Sequence, residues 1–168
     1  MDLIDNPHSL NYSSSMNILE KIRQRAASRP QHIVLPEGND PRTVEAASLC
    51  STQRLARITL LGDEDIVRAT ATERSLDISG VSIIDHKRAP DFDKMVGFFH
   101  ELRRAKGLMA DEARTLVSDP LYYGNLMVRL GHADGSVAGA TNTTSHTVRA
   151  AHTASVFDLV SSSFPVSS

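Results

Sequence analysis

The chain has a single cysteine, no excess of charge of one sign and no long apolar run, and each shortage closes off a class of protein. With Cys50 alone there is neither an internal disulfide nor a cysteine zinc cluster, which suits a reducing compartment. Cys50 follows Val44 and Ala47 at helical spacing on an apolar stripe, so a packed structural thiol is expected rather than a reactive one. The 18 Lys+Arg stand against 20 Asp+Glu, a formal charge of −2, which leaves no basic field to attract nucleic acid or anionic lipid. Any anion must be held by local groups. No apolar stretch approaches the roughly 20 residues that cross a bilayer. Residues 1–15 lack the basic start and apolar core of a secretory signal, and are expected to form a disordered tail on a cytoplasmic protein. There is no G-x-G-x-x-G and no P-loop, which disfavours a conventional dinucleotide or nucleotide fold. The seven histidines are scattered without a pair at ligand spacing, so neither a metal nor a bound cofactor is expected. Ser161, Ser162 and Ser163 lack the setting of a nucleophile elbow.

What is present is an alternation of short apolar runs with helical periods. A length of 168 residues suits one domain with a real core. Ser15 is placed to cap a helix over 16–28, with Ile18, Leu19, Ile22 and Ala26 at helical spacing and Pro30 closing it. His32-Ile33-Val34-Leu35-Pro36 reads as a strand, and Glu37-Gly38-Asn39-Asp40-Pro41 as the loop and cap that open the next helix. The alternation returns with a strand over 57–61, a helix over 64–72 and a strand over 81–85. Helical stretches follow over 91–106, 111–117 and 120–130, the last marked by Asp119 as cap, Pro120 at the first position and Gly131 just beyond. A strand over 136–140 leads through Thr141-Asn142-Thr143-Thr144 into a helix carrying Arg149, and a last strand is expected over 159–164. Strands alternating with helices predict an α/β fold, a three-layer sandwich around a mainly parallel sheet.

Two places could carry chemistry. The strand ending at Ala140 feeds hydroxyl and amide side chains into a helix start, where unpaired N–H groups and a positive dipole end can meet an anion. Asn142, Thr143 or Thr144 acting simply as a helix cap is the other reading. On the 91–106 helix, Phe92, Met95, Val96, Phe99 and Leu102 form an apolar face, and Arg103 falls inside it while Arg104 points about 100° away. An arginine there must reach water, a carboxylate or a ligand, or else snorkel from the end of the stripe; Lys106 is ambiguous in the same way. Glu37 and Asp40 read as turn and cap chemistry.

Taken together, the segments resemble the phosphate acetyltransferase and phosphate butyryltransferase family. The landmarks run in order: Leu35-Pro36-Glu37 with Asp40 and Arg42; Leu60-Leu61-Gly62; Glu101-Leu102-Arg103 with Lys106-Gly107; Ser118-Asp119-Pro120 with Tyr122-Tyr123; then Ala133-Asp134-Gly135, Gly139-Ala140, Thr143-Thr144 and Val148-Arg149. The resemblance implies an isocitrate-dehydrogenase-like architecture of two α/β domains around a cleft, with residues 16–154 a partial first domain and 155–168 a truncated strand and tail. It implies that Arg103, Thr143, Thr144 and Arg149 bind a phosphate-bearing substrate. The substrates it implies are small molecules: acetyl-CoA or coenzyme A, and phosphate or acetyl phosphate. A homo-oligomer stays open. The family aspartate that deprotonates the coenzyme A thiol is expected in the half not represented here, so no catalytic base is named. A non-catalytic anion-binding remnant and half of a phosphate butyryltransferase are the alternatives.

Overall fold

Parallel strands and helices alternate through residues 17–154, the part of the chain that the computed structural model describes. The order is α1 (Ile18–Ser28), β1 (Gln31–Leu35), α2 (Pro41–Thr52), β2 (Ala56–Leu61), α3 (Glu64–Glu73), β3 (Val81–Ile84), α4 (Phe92–Arg103), α5 (Ala110–Val117), α6 (Pro120–Arg129), β4 (Gly135–Ser136) and α7 (Thr144–Ala154). Short 3-10 turns occupy His86–Arg88 and Arg104–Lys106. The four strands lie in the order β3-β2-β1-β4, every pair parallel, with Val34 opposite both Thr59 and Ser136.

Successive side chains of a strand point to opposite faces, and the sheet separates two cores on that basis. Val34 of β1 and Leu61 of β2 join Phe99, Val117, Leu121 and Leu126 from α4, α5 and α6 on one side. Leu35 and Leu60, one position away on each strand, join Val44, Ala47 and Val67 from α2 and α3 on the other. These are the three layers expected of the α/β fold. Cys50 packs against the second core and burial raises its thiol pKa, in keeping with a structural thiol.

The helix starts follow their caps. Asp40, Asp63 and Asp119 each accept a hydrogen bond from an N–H two residues on, and Pro41 and Pro120 take first helical positions. Two boundaries depart from the sequence expectation. Asn17 caps α1, its side chain accepting from Leu19 N at 3.2 Å. The strand expected over 136–140 shortens to Gly135–Ser136. Val137 N still donates to Val34 O, but the next donor on β1 would be Pro36, which has no N–H. The ladder stops there. The 1–15 tail, Ser15, the 159–164 strand and the serines at 161–163 lie outside the described residues.

Candidate phosphate-side site

Where β4 ends, the backbone turns away from the sheet and wraps a carboxylate. Glu37, at the end of β1 and only 8% exposed, accepts from Gly139 N and Ala140 N on Oε2, both at 2.7 Å. Its Oε1 accepts from Thr141 N at 2.9 Å, Thr141 Oγ1 at 3.0 Å, Asn142 N at 2.8 Å and Asn142 Nδ2 at 2.9 Å. Burial alone would raise the pKa of Glu37. The hydrogen bonds from Thr141, Ala140 and Asn142 outweigh it and hold the carboxyl far below the usual carboxylate range.

Two further contacts fix the same loop. Arg42 forks onto Asp40 at 3.0 and 2.9 Å and extends one Nη to Ala140 O. His146, in the first turn of α7, bridges Asn142 Oδ1 at 3.2 Å and Asp119 Oδ2 at 2.8 Å, tying α7 to the cap of α6. The sequence reading assigned unpaired N–H groups to this loop. The structure corrects it: the N–H groups of residues 139–142 are already taken by Glu37.

What remains open to an external anion lies one step further along. Thr143 Oγ1 accepts from His146 N at 3.3 Å and so caps α7. Thr144 opens the helix, and besides the His146 N–H that Thr143 takes, its first-turn N–H groups have no partner within the helix. Thr143, Thr144 and Arg149 are all exposed, and Arg149 shares a helix face with Ser145, four residues earlier. The structure therefore brings three of the four expected residues to one helix.

Arg103 sits at that helix's other end. Its side chain is buried on the apolar face of α4, as the spacing predicted. Nε donates to Thr153 O at 2.8 Å, and one Nη donates to His152 O at 3.0 Å and to Thr153 O at 2.5 Å. With a rise of about 1.5 Å per residue, the carbonyl of Thr153 lies roughly 13 Å along the axis from Thr144. One phosphate group does not span that distance. Arg103 also lines a cavity of about 290 Å³ with Lys106, Leu108 and Glu112. Arg104 is exposed and pairs with Glu101 at 3.2 Å.

The larger cavities suit an anion poorly. One of about 580 Å³ at the carboxyl ends of β1 and β2 is bordered by Glu37, Asp40, Asp63 and Asp85, with Lys87 as its lysine. Another of about 770 Å³ beside β3 is bordered by Asp63, Glu64, Asp65, Asp85 and Asp91, with Arg88 as its arginine. Like charges disfavour phosphate in both. No group of three or more His, Cys, Asp or Glu among the described residues could hold a metal ion.

Comparison with known proteins settles the lineage. Residues 17–164 match the family described as phosphate acetyl/butaryl transferase. The chain belongs to this family. It is 41% identical over 135 residues to a phosphate acetyltransferase of Nitratidesulfovibrio vulgaris, covering 80% of this chain and 19% of that protein. It is 40% identical over 136 residues to one of Acetivibrio thermocellus, covering 81% and 40%. Among solved structures, a phosphotransacetylase from Streptococcus pyogenes superposes with a TM-score of 0.75 at 34% identity, over 82% of this chain and 41% of that one. The EutD phosphotransacetylase of Staphylococcus aureus gives 0.72 at 32%, over 81% and 41%. The chain thus spans less than half the length of each of these family members.

Glu37 is the anchor of this loop that sequence reasoning passed over. It was read as turn chemistry, because its partners lie more than a hundred residues further along the chain. Leu35-Pro36-Glu37 and Gly139-Ala140 both stand among the landmarks, but nothing local connects them.

Proposed function

We propose that this chain forms the phosphate side of a phosphate acetyltransferase site, for the reaction acetyl-CoA + phosphate = CoA + acetyl phosphate, in the cytoplasm and with coenzyme A as a substrate rather than a resident cofactor. Residues 16–154 are the part proposed to take that role. The observation that carries it is the start of α7, where Thr143, Thr144 and Arg149 stand exposed beyond a loop held rigid from within. In the direction that makes acetyl-CoA, the thiolate of coenzyme A attacks the carbonyl carbon of acetyl phosphate. The bond from that carbon to the bridging oxygen breaks, and phosphate leaves with the electron pair. The first-turn N–H groups of α7 and the Arg149 guanidinium would take up the charge growing on the phosphate oxygens. Arg103 supports this from behind by binding the carbonyls at the far end of α7, where a cation also matches the helix dipole.

Titration of the chain with inorganic phosphate and with acetyl phosphate tests the reading. Arg149→Ala should weaken binding by about ten- to a hundred-fold, the loss expected for one charge-assisted contact. Arg104→Ala should leave it unchanged. Equal binding by wild type and Arg149→Ala would remove Arg149 from the site, and no binding at all would remove the site.

A further inference from the structure

The loop at 139–142 is built like an anion nest, with consecutive N–H groups converging on one point. In this protein the point is occupied by the chain's own carboxylate. We propose that Glu37 is a resident anion that positions the start of α7, so that substrate phosphate is directed to Thr143, Thr144 and Arg149 and kept off the loop itself. Its role in phosphate binding rests on the function proposed above; its role as the loop's anchor does not.

The geometry distinguishes a carboxylate from any neutral substitute. Oε2 takes two backbone N–H groups, from Gly139 and Ala140, while Oε1 takes those of Thr141 and Asn142 together with both their side chains. Every group facing Glu37 in this set is a donor. A glutamine could satisfy one half and would turn its own NH2 against the other. An alanine would leave four N–H groups orphaned around a gap. The heavy atoms it removes are those of an acetate ion, whose single charge and size match the gap left among these donors. The pKa direction gives an independent reading in the wild type. A carboxyl held far below its ordinary value stays ionised as the pH falls past about 4.3, where an unperturbed glutamate takes up its proton. The unfolded chain then binds more protons at this residue than the folded one. The stability Glu37 contributes is present above the unfolded value and is lost as the pH falls toward the folded one.

The test is amide hydrogen exchange, resolved by residue, in the full chain. Glu37→Ala should lower protection at residues 139–142 by roughly ten- to a hundred-fold, as expected for lost hydrogen bonds to a charged acceptor. Acetate should restore it, and chloride at equal ionic strength should not. Glu37→Gln should lose protection and show no restoration, because its side chain fills the space. Unchanged protection in Glu37→Ala, or equal recovery of both variants in acetate, would overturn the proposal. If Glu37→Ala does not fold, wild-type amide resonances decide. Those of residues 139–142 should share no midpoint near the ordinary glutamate value of about 4.3, and such a shared midpoint would sink the claim. Phosphate titration of the acetate-restored variant separates the two proposals. Recovered phosphate affinity supports both, whereas a restored loop with no phosphate binding even in the wild type keeps the anchor and removes the phosphate site.

Discussion

Neighbouring arginines at the end of α4 lie in opposite surroundings. Arg103 is 7% exposed and gives its donors to His152 O and Thr153 O, whereas Arg104 lies in solvent beside Glu101. Removing Arg103 takes this donor from two part-buried carbonyls and leaves a gap, so Arg103→Ala should lower unfolding free energy by about 1.5–3 kcal/mol, the range for hydrogen bonds to a charged group. Arg104→Ala should stay within about 0.5 kcal/mol of wild type. Urea denaturation of both variants checks this, and equal losses would place the two side chains wrongly. The face of each residue was legible from a 3.6-residue period. What Arg103 touches was not, because those carbonyls lie about fifty residues later, on a helix whose packing against α4 no local pattern encodes. The same holds more strongly for Glu37. A carboxylate near a turn is ordinarily a cap, and only the folded chain shows it meeting residues 139–142.

At the scale of elements, boundaries followed local chemistry where that chemistry was complete. Asp119 with Pro120 ahead of α6, and Asp40 with Pro41 ahead of α2, are caps that need no tertiary help. The expected strand over 136–140 failed because small apolar residues fit a strand equally well paired or unpaired. Its length was decided by Pro36 on the neighbouring strand, and its continuation by the pull of Glu37. Gly139 makes that turn possible with a φ of +122°, a region that side-chain-bearing residues rarely enter. Gly139→Ala meets no atom within 4 Å, so its cost is conformational, about 1–3 kcal/mol. Gly97, in the middle of α4, also has nothing within 4 Å of an added Cβ, but its backbone is helical. Gly97→Ala should therefore stabilise by about 0.5–1 kcal/mol. Thermal melts of the two variants should move in opposite directions, and a shared direction would contradict the backbone account.

Across the whole molecule, the alternation of strands and helices specified a three-layer sandwich, and the order of landmarks specified the family. The reaction proposed for this family member asks for one thing more, a base for the coenzyme A thiol. The carboxylates around the start of α7 are already committed. Glu37 is held ionised far below the pH where it could exchange a proton usefully, Asp40 is forked by Arg42, and Asp119 caps α6 while pairing with His146. Effective general bases have pKa values near the working pH, and hydrogen bonding has driven Glu37 the opposite way. The chain also spans less than half of the length of the solved family members it matches. Losing general-base catalysis costs about 10²–10⁴-fold. The purified chain should therefore bind phosphate yet convert acetyl phosphate and coenzyme A to acetyl-CoA far more slowly than about 1 s⁻¹, the low end for enzymes. Thioester formation followed by ultraviolet absorbance, on protein expressed in a host lacking its own phosphate acetyltransferase, measures this directly. A turnover at or above that rate would mean that one of these engaged carboxylates, or a group outside residues 17–154, serves as the base.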